Sequence, residues 1–527
     1  MSHLALVGFM GTGKTTIGRL VAERLGVPFV DADDLIAARA GLPIPDIFAR
    51  QGEDRFRHLE AQVIADLLRG PAGLVLATGG GAVGDDHTLR LLATHAFTVC
   101  LTASPQRILE RTRDTARPML AGHSDRLARV RELLEQRRSR YQLADACLDT
   151  TDLDPEQGAA AVLRLWGTVS VPLGDRSYPI HLGRDLLADP ALYPPASGCR
   201  IVTNPAVGRL YSSQVVRALA GQGCPVGVDV VAAGERAKHL RQAERLWRSW
   251  LQAGLDREGL VIALGGGVVG DLAGFAASAY LRGVRVVQVP TTLLAQVDAS
   301  VGGKTAIDLA GLKNIVGAFH QPSAVLADMH TLRTLPPREL RSGMAEVVKH
   351  GLLGDAPLFE YLEARLEQAL ARHPLVLAHL VRRSCVLKAG VVAADERESG
   401  LRAALNLGHT FGHALESEAG LGRLHHGEAV ALGLVAACHV SARLGLLSPA
   451  DALRVTALLR RARLPVTGSG VAPARALAAM RQDKKTRAGK LRFVLPTAIG
   501  SVQVGMSVPD QLVLAALAQV AGEGIHP

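Results

Sequence analysis

The chain runs to 527 residues, of which 48% are apolar and only 4% aromatic. That length exceeds one ordinary domain and predicts two or three, with cores built from Leu, Val and Ala rather than from rings. The formal charge is +10, but the arginines are dispersed and aromatic residues are scarce, which argues against a nucleic-acid binder and for small anionic substrates.

Cys100, Cys147, Cys199, Cys224, Cys385 and Cys438 lie far apart without a C-x-x-C pair, as expected for reduced, mostly buried thiols of a cytoplasmic protein. No apolar stretch reaches the ~18 residues needed to span a bilayer. The apolar run at the start lacks the basic flank of a signal peptide.

Leu4–Val7, Leu74–Ala77 and Phe97–Leu101 read as buried parallel strands with helical patterns between them, so residues 1–166 are expected to form an α/β domain. The first strand feeds Gly8-Phe9-Met10-Gly11-Thr12-Gly13-Lys14-Thr15, a phosphate-binding loop, and a helix follows from Ile17 to Leu25. The glycines let backbone N–H groups turn inward on phosphate oxygens, and the start of the helix adds to the field. Lys14 reaches the terminal phosphates and the Thr15 hydroxyl suits magnesium. The strand Val27–Val30 ends in Asp31-Ala32-Asp33. Alternation along a strand puts both carboxylates on one face. One is then available to magnesium through water and the other to a hydroxyl proton. The competing reading is a helix cap for the segment from Leu35. Arg57 is a candidate carboxylate clamp. Gly79-Gly80-Gly81 lets a ligand touch the backbone. Arg117 lies in an arginine-rich stretch suited to a lid, and Arg137 sits one turn before Tyr141. Pro155–Trp166 reads as a closing helix, with a boundary near Gly167.

Arg200–Thr203, Val226–Val231, Leu260–Leu264 and Val284–Val289 are strand candidates of a second, Rossmann-like α/β domain over 167–330. Gly265-Gly266-Gly267-Val268-Val269-Gly270-Asp271 has the G-x-G-x-x-G order after a strand, without the acidic residue about 20 positions on. Glu235 and Lys238 offer a carboxylate for a ribose hydroxyl and a cation for phosphate. Thr291, Thr292, Asp298, Lys304, Lys313 and Asn314 are interleaved with glycine, the pattern of a cleft. Beyond residue 330, the helical patterns Pro357–Ala371, Pro374–Val392 and Glu428–Leu444 predict a mostly α-helical domain over 331–527. It holds the metal signal. His409 and His413 are four apart on one helix face, His426 follows, and Glu346 lies in Gly343-Met344-Ala345-Glu346-Val347-Val348-Lys349. One Glu with two or three His is an open divalent site. Spacing does not decide whether His409 and His413 both bind, and His425 reads as a surface neighbour.

On G-F-M-G-T-G-K-T, D-A-D, G-E-D-R-F-R, G-G-G and R-P-M-L, in that order, the first domain resembles shikimate kinase. The resemblance implies transfer of the ATP γ-phosphoryl group to a shikimate hydroxyl. Gly11, Thr12, Gly13, Lys14, Thr15, Thr16 and Arg117 would hold ATP, and Thr15 and Asp31 would serve Mg²⁺. Asp33, Arg57, Gly80 and Arg137 would bind shikimate, with Asp33 and Lys14 catalytic. Met119 stands where the family often has Leu.

From about Val169 onward the chain resembles 3-dehydroquinate synthase, through G-E-R-A-K, G-G-G-V-V-G-D-L-A-G-F, T-T-L-L-A-Q-V-D-A-S-V-G-G-K-T, S-G-M-A-E-V-V-K, L-N-L-G-H-T-F-G-H and Q-D-K-K. By this resemblance Glu346, His409 and His426 bind Zn²⁺ or Co²⁺. Glu235, Lys238, Gly267, Val268, Val269, Gly270, Asp271, Thr291, Thr292, Asp298, Lys304 and Lys313 line the NAD site. Asn314, Lys349, Lys388, Arg402, Asn406 and one of Lys484 and Lys485 would face the cyclising substrate. His413, Lys304 and Arg282 join the catalytic set. The implied chemistry is oxidation by NAD, loss of phosphate, return of the hydride, ring opening and aldol closure of 3-deoxy-D-arabino-heptulosonate 7-phosphate to 3-dehydroquinate. Asp308 replaces a common Asn and Leu312 a usual Gly, which puts the geometry at Lys313 in question. Another sugar-phosphate cyclase and a metal-dependent alcohol dehydrogenase are the alternatives within enzymes. A homodimer through the second part is expected.

Overall fold

The computed structural model describes residues 3–70, 73–113, 125–398, 400–420, 423–482 and 491–522. Arg117, Met119, Lys484 and Lys485 lie outside them. The chain divides into two compact units, Met1–Thr168 and Val169–Pro527. The α/β part and the helical part expected on either side of residue 330 both fall within the second unit.

In the first unit, β1 (His3–Val7), β2 (Phe29–Asp31), β3 (Val75–Ala77), β4 (Ala96–Thr102) and β5 (Ala146–Asp149) form a parallel sheet in the order β2-β3-β1-β4-β5. Helices cover both faces, so the central strands β1, β3 and β4 are largely apolar and buried, while the edge strands β2 and β5 are partly exposed. Leu4 and Leu6 pack with Ile17, Val21 and Val162. Ala5 and Val7 pack with Ile64, Leu68, Leu91 and Val130 on the other side. The helix Lys14–Leu25 starts directly from the phosphate loop. The D-x-D reading is corrected here: the strand stops at Asp31, and Ala32 opens the helix Ala32–Ala40. Asp31, not Asp33, is the cap, and its Oδ1 accepts the Asp33 N–H at 3.1 Å. A cap this close competes with the strand for the same backbone, and the helix wins.

In the second unit, β6 (Thr168–Val171), β7 (Tyr178–Gly183), β8 (Cys199–Thr203), β9 (Val226–Val230), β10 (Leu260–Gly265), β11 (Arg285–Pro290) and β14 (Ala324–Asp328) form one sheet, ordered β6-β7-β14-β11-β10-β8-β9. The order reverses between β8 and β10, and such a switch point opens a crevice at the carboxyl ends of the strands. Gly265–Gly267 sits there, followed by the helix Gly267–Ala279.

The polar run after Thr292 is partly regular. Asp298 lies in a π-helical turn, Ala295–Ala299. β12 (Lys304–Leu309) and β13 (Leu312–Phe319) form a hairpin turned by Ala310 and Gly311 at φ 51 and 80. Two left-handed residues match the twist of a tight hairpin. The glycine of this turn is Gly311, so Leu312 simply opens β13 as an exposed strand residue. The remainder is helical, apart from the hairpin of β15 (Phe493–Ala498) and β16 (Ser501–Met506). No helix of the described residues is long and apolar enough to cross a membrane.

Candidate active sites

The phosphate loop carries Gly8, Gly11 and Gly13 at φ 131, 74 and 95, a region that L side chains rarely adopt. Lys14 Nζ curls back and donates to the carbonyls of Gly8 at 2.9 Å and Phe9 at 2.8 Å. Thr12 is buried and donates to Phe9 O at 2.8 Å. Thr15 and Thr16 are exposed on the first helical turn. The Thr15 hydroxyl donates to Asp31 Oδ2 at 2.7 Å, which joins the two residues expected at magnesium. Arg111, which the sequence reading missed, donates to the Gly11 carbonyl at 3.4 Å and to Thr150 O at 2.8 Å.

Beside this loop the Gly79–Gly81 turn forms a floor. Gly79 faces Asp33 and Glu60, and a methyl at Gly81 would overlap the Arg57 guanidinium. The Gly80 carbonyl accepts from Arg137 at 2.8 Å and from the Tyr141 hydroxyl at 2.7 Å. Burial pushes the Tyr141 phenol up to about 12, so it stays a donor. The floor thus gathers Asp33, Arg57, Gly80 and Arg137. Glu60, 2% exposed, was not foreseen, although its spacing of three from Arg57 on a helix is legible. Burial raises the Glu60 carboxyl above its ordinary range, against the pull of Arg57 at 2.7 Å.

In the second unit two clusters flank one cleft. At the switch point Lys238, 3% exposed, donates to Asp271 at 2.7 Å, touches the Asn314 side-chain oxygen and lies 3.7 Å from Glu235. Burial raises the Asp271 carboxyl in spite of Lys238. The Thr291 N–H donates to Gly265 O at 3.0 Å, and Thr292 caps the next turn by accepting from Ala295 N at 3.1 Å. The Val269 side chain packs under Gly265 in the core. The Gly270 carbonyl accepts from Gln288 at 3.1 Å.

The second cluster is built on helix N-termini. His409 opens the helix His409–Ala419 and His426 opens His426–Arg443. These helices pack closely because Gly412 and Gly433 leave room for the facing backbone. The Nε2 atoms of both histidines lie 3.5 Å from Oε1 of the fully buried Glu346. Their outward nitrogens meet acceptors, His409 Nδ1 with Leu407 O at 3.2 Å and His426 Nδ1 with Glu416 Oε2 at 3.5 Å. Ligand atoms of Glu346, His409 and His426 all lie within 4.8 Å of one another. His413 is outside that set, its ring centroid 5.2 Å from His409 and 6.0 Å from His426. One carboxylate and two imidazoles, each imidazole oriented from behind, suit a divalent ion with open positions. Burial would raise Glu346, but Lys349 and His409 hold it well below the usual range.

Cations line the same cleft. Lys349 pairs with Glu346, and Lys388 donates to Asp298 Oδ1 at 2.6 Å. Burial opposes the Asp298 charge, yet Lys388 and Lys349 keep that carboxylate well below its usual value. Arg402, 1% exposed, donates to the carbonyls of Gly302 and Glu396. Among the described residues no carboxylate reaches ion-pair distance of its guanidinium. Lys304 pairs with Glu398, whose Oε1 also accepts from Asn406 at 3.0 Å. Lys313 pairs with Glu416 at 2.6 Å. Glu398 and Glu416 were not foreseen. Glu416 lies seven residues after His409, two turns along the same helix face, which is a readable signal. Arg282 stands apart on an exposed turn at φ 68, and no described hydrogen bond or ion pair joins it to the cleft. His425 caps its helix and lies 3.3 Å from Glu339.

Family models match both parts of the chain. The shikimate kinase model matches residues 10–166. The N-terminal and C-terminal models of 3-dehydroquinate synthase match 228–342 and 343–486. Among solved structures, the chain is similar to 2-epi-5-epi-valiolone synthase from Streptomyces hygroscopicus subsp. jinggangensis 5008 with NAD⁺ and Zn²⁺ bound (33% identity, TM-score 0.62, 66% of this chain and 98% of that one). It is also similar to a 2-deoxy-scyllo-inosose synthase complexed with carbaglucose-6-phosphate, NAD⁺ and Co²⁺ (25%, TM-score 0.57, 67% and 99%). Shikimate kinase from Acinetobacter baumannii in complex with shikimate is 37% identical over 31% of this chain and 91% of that one, with a TM-score of 0.30. The chain belongs to the shikimate kinase family through residues 10–166 and to the 3-dehydroquinate synthase family through residues 228–486, a kinase and a phosphate lyase on one polypeptide.

Proposed function

We propose that the first unit phosphorylates shikimate with ATP and that the second converts 3-deoxy-D-arabino-heptulosonate 7-phosphate to 3-dehydroquinate with release of phosphate. Mg²⁺ serves the first unit, and NAD with Zn²⁺ or Co²⁺ serves the second. In the kinase, Lys14 leaves its loop carbonyls for the incoming phosphates, and Thr15 with Asp31 addresses the magnesium. Arg57 and Arg137 hold the substrate carboxylate over the glycine floor, and Asp33 orients the accepting hydroxyl. Phosphoryl transfer needs this positioning and charge neutralisation more than covalent help.

In the synthase, NAD supplies a hydride acceptor that is restored within each turnover, and the divalent ion supplies a Lewis acid for adjacent hydroxyls. Glu346, His409 and His426 hold the ion. Lys238, Asp271 and Glu235 receive the nucleotide at the switch point. His413 is the residue assigned to proton transfer.

The observation that favours a substrate with both phosphate and carboxylate is Arg402. A buried guanidinium bonded to carbonyls alone is costly unless an anion joins it. Lys349 and Lys388, by contrast, are already paired with Glu346 and Asp298. The second reading, a cyclase for another sugar phosphate, one without a carboxylate, draws on the 33% identity to the valiolone synthase. Incubating the full chain with NAD and Zn²⁺ separates the two. Phosphate release is expected from the heptulosonate phosphate and not from a heptulose phosphate lacking the carboxylate. Equal release from both would favour the second reading. A parallel assay supplies ATP with shikimate.

A further inference from the structure

Two adjacent residues of β13 reach opposite clusters. Asn314 accepts from Lys238, which in turn holds Asp271 at 2.7 Å. Lys313 donates to Glu416 Oε1 at 2.6 Å, and the other oxygen of Glu416 meets His426 Nδ1 at 3.5 Å. His426 Nε2 then faces Glu346. The backbone between them is fixed: Asn314 sits at φ 54, and its N–H donates to Asp308 Oδ1 at 2.8 Å. A continuous set of polar contacts therefore runs from the switch-point cluster, through one short piece of strand, to the histidine and glutamate cluster.

We propose that Glu416 is a positioning residue that fixes His426 for the divalent ion and, through Lys313, couples occupancy of the ion site to occupancy of the nucleotide site. The inference rests on the proposed ion and NAD sites. A carboxylate accepting from Nδ1–H selects the tautomer whose Nε2 lone pair points at Glu346, and it raises the basicity of that nitrogen. The same carboxylate is shared with a lysine on the hairpin. Any shift of that hairpin when nucleotide settles on Lys238, to which Asn314 is bonded, changes how much of Glu416 is left for His426. Linkage makes the effect reciprocal: nucleotide changes the affinity for the ion by the same factor as the ion changes the affinity for nucleotide.

Chelator competition with Zn²⁺ on the full-length protein, with and without saturating NAD, tests this. Wild type should bind Zn²⁺ with an affinity that NAD changes severalfold. Glu416→Ala should weaken Zn²⁺ about 10–100-fold and remove the NAD effect. Glu416→Gln, which keeps an acceptor of the same shape, should fall between them. Lys313→Met, at NAD concentrations shown to saturate the variant, should abolish the NAD effect while Zn²⁺ affinity without NAD stays within about threefold of wild type, since Glu416 still accepts from His426. If wild type binds no ion, the functional reading itself fails. If wild type binds and Glu416→Gln binds equally well with an undiminished NAD effect, Glu416 has no such role. The isosteric variant and the thermal midpoint guard against mistaking misfolding for weak binding.

Discussion

The Thr15 hydroxyl donates to Asp31 Oδ2 at 2.7 Å, joining the first turn after the phosphate loop to the end of the edge strand β2. This contact sets the separation of the two side chains assigned to magnesium. Asp31→Asn keeps the helix cap and an acceptor for Thr15 but loses the charge. The Mg²⁺ needed for half-maximal kinase activity should rise about 10–100-fold, and excess Mg²⁺ should restore part of the rate. Phosphate release by the synthase unit should stay unchanged. A Mg²⁺ requirement equal to wild type would remove Asp31 from this role.

Gly81→Ala places a methyl in the Arg57 guanidinium, so the arginine must leave its post above the glycine floor. The KM for shikimate should rise about tenfold or more, in line with loss of a buried charged contact, with a much smaller change in the KM for ATP. Steady-state kinetics on both substrates separates this from a general loss of fold.

Glu60 provides a pH signature. Its folded carboxyl titrates above the unfolded value of about 4.3 because burial outweighs Arg57. Between those two values the folded state binds more proton than the unfolded one, so the contribution of Glu60 to stability falls as pH rises through the window. Glu60→Gln removes that titration. The melting midpoint of the kinase transition, mutant minus wild type, should climb as pH rises from about 4 to about 7. A flat difference would contradict the assignment.

Arg402→Leu sets stability against function. Replacing a buried cation bonded only to carbonyls by an apolar side chain should leave the melting temperature of the synthase unit equal or higher. The kcat/KM for the heptulosonate phosphate should fall about 100-fold, the cost of losing a buried partner for an anion. A large drop in melting temperature with intact kcat/KM would make Arg402 a structural residue.

The features legible in the sequence were local. The phosphate loop, the buried strands around it and the helix Pro155–Trp166 follow from glycine placement, apolar runs and a Pro-led cap. The histidine pair was legible from its spacing, but the partition into His409 and His426 with Glu346, leaving His413 aside, depends on how three helices meet. D-A-D misled because strand alternation was assumed past Asp31, where side-chain capping starts a helix. The hairpin of β12 and β13 was seen only as a polar cleft run, since its turn depends on left-handed Ala310 and Gly311. Glu398 and Glu416 escaped because their partners Lys304 and Lys313 are 94 and 103 positions away in the chain.

The most direct test of the account is the ratio of phosphate to NAD in the second unit. Full-length protein with Zn²⁺, excess 3-deoxy-D-arabino-heptulosonate 7-phosphate and a trace of NAD should release phosphate far beyond the NAD supplied, with no net NADH, and Glu346→Gln should abolish both Zn²⁺ retention and that release. NADH accumulating in step with turnover, or undiminished release by Glu346→Gln, would contradict it.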